Sequence, residues 1–168
     1  MHPRDQNWAK SYAKQALSDL RAWNVLVGAP AEKCHRLHFL QMAAEKTCKA
    51  HLTLTNGHDN VKNSHAVVRN NLPLIARYFY AKISDDNKIA EWQIRAIKHF
   101  AGEIELLAPA CDHEGARRDN TEYPWEDDNG KVYTPCDYTF PNIDDGPENT
   151  IIVRLVKLIR MAAETFSQ

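Results

Sequence analysis

The chain has 168 residues, 43% of them hydrophobic and 26% charged, with a formal net charge of −1. That length can bury a sizeable core without disulfides or a metal. The near-neutral balance excludes a global pull toward nucleic acid or an anionic membrane, so any nucleic-acid contact needs a local basic patch.

A first helix is expected over residues 5–27. Trp8, Tyr12, Ala16, Leu20, Trp23 and Val27 recur at spacings of three and four and make one apolar stripe. Gly28 and Pro30 should end it, the glycine by accepting a left-handed conformation and the proline by refusing helix. Trp8 and Trp23 exceed what one core needs, which suits either burial within the protomer or a dimer face.

A second helix is expected over residues 31–55, with Cys34, Leu37, Leu40 or Gln41, Ala44, Cys48 and Leu52 inward and the Asn56-Gly57 turn pair closing it. Residues 64–84 read as a short helix near 64–70, then a kink at Pro73, then Leu74, Ile75, Tyr78, Phe79 and Ile83 packing inward. A fourth helix over 87–108 should bury Ile89, Trp92, Ile97, Phe100, Ile104 and Leu107. From residue 109 to 146 the periodicity vanishes.

Residues 109 to 147 hold five of the eight prolines. So long a connection is normally functional or disordered. The aromatics Tyr123, Trp125, Tyr133, Tyr138 and Phe140 argue for order, since they bury enough area to fix a loop. A small hairpin between Lys131–Thr134 and Tyr138–Phe140 is expected. The last helix, 147–166, presents Ile151, Ile152, Leu155, Leu158, Ile159 and Ala162. The fold class that results is all-α, an antiparallel up-and-down bundle of about five helices in one domain, with a long ordered loop before the last.

No apolar run approaches the roughly 18 residues that span a bilayer, and Met1-His2-Pro3-Arg4-Asp5 opens no signal peptide. A cytoplasmic protein without a membrane partner is expected. Cys34, Cys48, Cys111 and Cys136 form no CxxC pair, which predicts reduced thiols. Cys111-Asp112-His113 with Cys136 matches no closed zinc site, and no metal or cofactor is expected. The chain also lacks a glycine elbow, a P-loop and a Rossmann pattern, so conventional hydrolase, kinase and nucleotidase chemistry is not indicated.

The most informative stretch is Gln41-Met42-Ala43-Ala44-Glu45-Lys46-Thr47-Cys48-Lys49-Ala50. Glu45 and Lys49 stand four apart in the favourable acid-first order, and Lys46 and Lys49 share a face. By itself this is a solvated ion-pair face.

Together with Ala16, Asp19-Leu20 and Ala22 before it, His65, Leu72 and Leu74 after it, and Asp119-Asn120-Thr121-Glu122-Tyr123-Pro124 near the end, the stretch resembles a HEPN domain, the nucleotide-binding helical bundle of higher eukaryotes and prokaryotes. The resemblance covers roughly residues 9 to 160. It implies a helical bundle, a nucleotide or RNA ligand and a two-fold homodimer. It also implies a possible minimal nucleotidyltransferase partner in a toxin–antitoxin or defence module.

Two departures stand out. Glu122 sits where many members carry Arg before the Tyr-Pro pair. The ribonuclease branch uses Arg, four to six residues, then His, but after Arg69 those places hold Leu74, Ile75 and Ala76. Arg95 and His99 are too close to serve. Without that imidazole, general acid–base cleavage of RNA lacks its agent, and the balance leans against an enzyme.

A phosphate-bearing ligand would need converging cations. The candidates are Lys46, Lys49, His65, Arg69, Arg117 and Arg118, with Tyr123 and Trp125 as stacking faces. Replacing Lys46 and Lys49 with alanine is expected to abolish binding and leave the fold intact. Three readings stay open: a non-catalytic nucleotide- or RNA-binding module, a dimeric interaction protein, and a noncanonical ribonuclease pairing His65 with Arg69. The interaction protein would show an exposed apolar patch and a helix face lacking convergent cations.

Overall fold

The computed structural model describes residues 2–83, 91–111, 119–146 and 148–168. Among them the chain forms five α-helices: α1 (Pro3–Val27), α2 (Lys33–Asn56), α3 (Val68–Ile83), α4 (Glu91–Glu105) and α5 (Thr150–Phe166). A two-stranded antiparallel ribbon, β1 (Trp125–Glu126) and β2 (Val132–Tyr133), precedes the last helix. The all-α bundle with a small hairpin is therefore the observed architecture.

α1 starts earlier than the stripe alone indicates. His2 caps it, its Nδ1 accepting from the Arg4 backbone N–H at 3.2 Å, and Pro3 occupies the first turn, where its missing donor costs nothing. Gly28 does not take the left-handed conformation expected of it, having φ −86°. The stop there falls to Pro30. Gly57 does adopt positive φ, +81°, and closes α2.

α1 and α2 run antiparallel. Lys46 reaches Asp19 from mid-helix, while the chain just past α2 returns to the start of α1 through Arg4–Asp59 and the His58 N–H donating to Asp5. α3 and α4 are likewise antiparallel, since the Arg69 N–H opening α3 donates to Glu105 at the end of α4. α5 packs chiefly on α1 and α2. Its N-cap is Asn149, whose Oδ1 accepts from the N–H groups of Ile151 and Ile152.

The core joins Leu37, Leu40, Leu72, Ile75, Ile104, Leu107, Leu155, Leu158 and Ile159 with Phe140 from the long loop. Three expected core residues lie outside it. Leu74, Tyr78 and Trp92 are more than half exposed. On α3 the buried stripe is Leu72, Ile75, Ala76 and Phe79, and on α4 it is Ile94, Ile97, Phe100, Ala101 and Ile104. Residues two places off such a stripe point away from it. Ile89 lies outside the described residues. Trp23 is buried, whereas Trp8 is partly exposed and stacks on His58 at 3.9 Å.

Three further expectations are corrected. α3 begins at Val68 and carries Pro73 inside it, with no separate helix over 64–70. α4 ends at Glu105 rather than 108, followed by a 3-10 turn at Pro109–Cys111. The hairpin pairs Val132–Tyr133 with Trp125–Glu126, because Pro135–Asp137 is a 3-10 turn that separates it from Tyr138 and Phe140.

The described part of the long loop is ordered by two devices. Trp125 stacks on Tyr133 and meets Tyr138 edge-on, and Tyr138 packs on Phe140. Asp145, buried, is clasped by Arg36 through Nε at 2.7 Å and Nη2 at 3.3 Å, a bidentate pair that ties the loop to the start of α2. Phe140 holds φ +46° there, its carbonyl accepting from Lys33 Nζ at 3.2 Å.

Candidate functional site

The structure divides the predicted site residues into two groups. On α2, Glu45 and Lys49 are buried, at 7% and 6% exposure. Lys49 Nζ lies 3.0 Å from Glu45 Oε1 and donates to the Lys62 carbonyl, and Gln41 Nε2 donates to Glu45 Oε2 at 2.9 Å. His65 Nδ1, on a half-exposed ring, comes within 3.4 Å of Glu45 Oε1. Lys46 turns to another partner: its Nζ is 2.6 Å from Asp19 Oδ2, and Gln15 donates to the same carboxylate.

So Lys46 and Lys49 do not converge on one open site. Each neutralises a buried acid, and a carboxylate so placed is stable only while its cation stays. The solvated ion-pair face is instead an internal network. Two thiols border it. Burial raises the pKa of Cys48, and burial with the nearby Glu105 and Glu45 carboxylates pushes Cys111 to about 11, so neither is a nucleophile at neutral pH.

The remaining candidates separate. His65 precedes α3 in non-helical chain while Arg69 lies inside it, so the two do not share a helix face. The aliphatic stem of Arg69 lies along Gly102. Arg117 and Arg118 lie outside the described residues. Tyr123 is 61% exposed and open to stacking, whereas Trp125 is taken up by the aromatic cluster of the loop.

A second constellation was not among the predicted residues. The stretches 68–83, 92–102 and 150–163 contain eight Lys and Arg and no Asp or Glu, in a chain of net charge −1. The rest of the chain is therefore strongly acidic, and the charge is segregated. Arg77 on α3, Arg95, Lys98 and His99 on α4, and Arg154, Lys157 and Arg160 on α5 are exposed. Among the described residues none of them pairs with a carboxylate.

Trp92 joins these helices. It is 52% exposed, and the Arg154 guanidinium sits over its ring, 5.2 Å from the centroid. Burial raises the pKa of Tyr80 while Arg154 opposes that rise, which brings α3 to the same junction. Positions 92, 95 and 99 continue along one face of α4. Unpaired cations interleaved with an exposed indole are what a phosphate backbone with stackable bases requires. The signal lies in the sequence as missing acids, which apolar periodicity does not register.

Among the described residues no group of three His, Cys, Asp or Glu is arranged to hold a metal. No helix is long and apolar enough to cross a membrane. Comparison with known protein families, with curated proteins and with solved structures finds no match.

Proposed function

We propose that this chain is a HEPN-like, non-catalytic cytoplasmic module that binds a phosphate-bearing ligand, nucleotide or RNA, on the outer face of α3, α4 and α5. The observation that carries the reading is the exposed Arg77, Arg95, Lys98, Arg154 and Lys157, none paired with a carboxylate among the described residues, together with the Arg154 guanidinium over the exposed Trp92 ring. Its spread over three helices suits an RNA strand better than one free nucleotide. The internal network around Glu45 serves the fold in this reading, and His65 stands at its rim.

Leu74 and Tyr78 on α3 and Val153 on α5, all exposed, favour a second reading: a homodimeric interaction protein that holds a minimal nucleotidyltransferase in a toxin–antitoxin or defence module. Salt separates the two. RNA held by several phosphate contacts loses affinity steeply and log-linearly between about 50 and about 200 mM salt, while an apolar interface does not. Fluorescence anisotropy with a labelled single-stranded RNA should give that slope. Arg95→Glu with Lys157→Glu should cut the affinity at least tenfold without lowering the melting temperature. No binding at low salt, or equal binding by the variant, would remove this face as an RNA surface.

A further inference from the structure

A cleft of about 240 Å³ lies between α1 and α5, lined by Leu17, Leu20, Arg21, Asn24, Arg160 and Glu164. Helical spacing aims its polar groups from two sides. Arg21 and Asn24 are one turn apart on α1, and Arg160 and Glu164 one turn apart on α5.

Among the described residues, none of these four side chains makes a hydrogen bond or ion pair with another protein group. Arg160 precedes Glu164, the less favourable order for a pair four apart, and they do not close. Two guanidinium groups without a direct ion-pair partner thus line one concavity with the partly buried Leu17 and the buried Leu20. Planar guanidinium forks match phosphate oxygens two at a time.

Glu164 narrows the ligand further. A carboxylate beside the arginines disfavours a bare anion but accepts from hydroxyls, so the best match is a phosphate that carries sugar hydroxyls near it. The volume falls below the roughly 300 Å³ at which drug-sized sites begin, which suits a chain end rather than a whole ligand.

The cleft is also continuous with the basic face. Arg154, Lys157 and Arg160 recur every third residue, and since three residues fall short of a full turn, the row drifts by about 60° at each step. It therefore winds around α5 from Trp92 on the α4 side to the cleft on the α1 side.

We propose that the α1–α5 cleft is an end-recognition subsite that takes the terminal phosphomonoester of a ribose, either at the end of a strand lying on the basic face or on a free mononucleotide. Arg21 and Arg160 hold the phosphate, Asn24 donates to it, and Glu164 accepts from a ribose hydroxyl. The strand-end form rests on the RNA-binding reading above; the mononucleotide form does not.

The test compares one RNA sequence bearing a 5′-phosphate, a 3′-phosphate or hydroxyls at both ends, together with AMP, against the full chain and Arg21→Gln/Arg160→Gln. One phosphorylated end should bind about tenfold tighter than the hydroxyl-ended strand, the worth of one charge-assisted contact. The double variant should erase that preference while still binding hydroxyl-ended RNA. Both arginines are exposed, and an unchanged melting temperature verifies the fold. Equal affinity for all three strands in the native chain, with no saturable AMP binding, overturns the subsite. If no RNA binds but AMP does, and the variant loses AMP, the RNA reading fails and the subsite stands.

Discussion

Removing the Glu45 carboxylate would strand the Lys49 ammonium in a site with almost no water, next to a carbonyl and an amide that cannot replace the lost charge. Glu45→Ala is expected to cost about 3 kcal/mol or more, whereas Glu45→Leu with Lys49→Met should recover most of it. Chemical denaturation of the three proteins checks this. By the same logic, alanine at Lys46 and Lys49 would leave Asp19 and Glu45 buried without their cations. That double variant should lose stability, so weakened binding in it would not by itself locate a ligand site.

His51 gives a pH prediction. Its burial lowers its pKa from the ordinary 6.5, so the unfolded chain binds the proton more readily. The contribution is fully present above about pH 6.5 and is lost as pH falls through the lower folded value. Melting temperature should therefore drop between pH 7.5 and 5.5, and His51→Gln should drop less.

At the level of elements, the apolar stripes located the helices, because burial on one side of a 3.6-residue period leaves a legible mark. Their phase was less legible. Leu74 and Tyr78 are as apolar as the residues beside them, and only packing against α4 shows that Leu72, Ile75 and Phe79 take the inner side. Caps behave locally and yield a firm expectation. Asn149→Ala should cost about 1 kcal/mol through loss of the Oδ1 that accepts from two N–H groups, read as a shift in the denaturation midpoint. The hairpin register was beyond local reasoning, since Lys131-Val132-Tyr133-Thr134 could pair on either side and the 3-10 turn at Pro135–Asp137 decided it.

For the whole molecule, the dominant property is the division of charge between the acid-free stretches 68–83, 92–102 and 150–163 and an acidic remainder. A net charge of −1 conceals it. Charge reversal at Arg95 and Lys157 should change ligand affinity and its salt slope far more than stability, because exposed unpaired cations contribute little to folding. Trp92→Ala should likewise weaken binding of a single strand, with base–indole stacking worth about 1–3 kcal/mol, and leave the melting temperature nearly unchanged. Anisotropy titration and a melting curve on the same sample separate the two effects.

The sequence by itself determined the helical class, the approximate helix positions, the packing of the loop's described part through its aromatics and the absence of an Arg-x4-6-His pattern. These depend on short-range periodicity, turn chemistry and composition, which act within a few residues along the chain. Only the tertiary structure decided that Lys46 and Lys49 serve Asp19 and Glu45, that Trp125 is spent on the loop while Trp92 stands open beneath Arg154, and that Arg21 and Arg160 share a cleft. Each of those facts pairs residues far apart in sequence. A side chain's chemistry is fixed by its identity, but its partner is fixed by which helices meet.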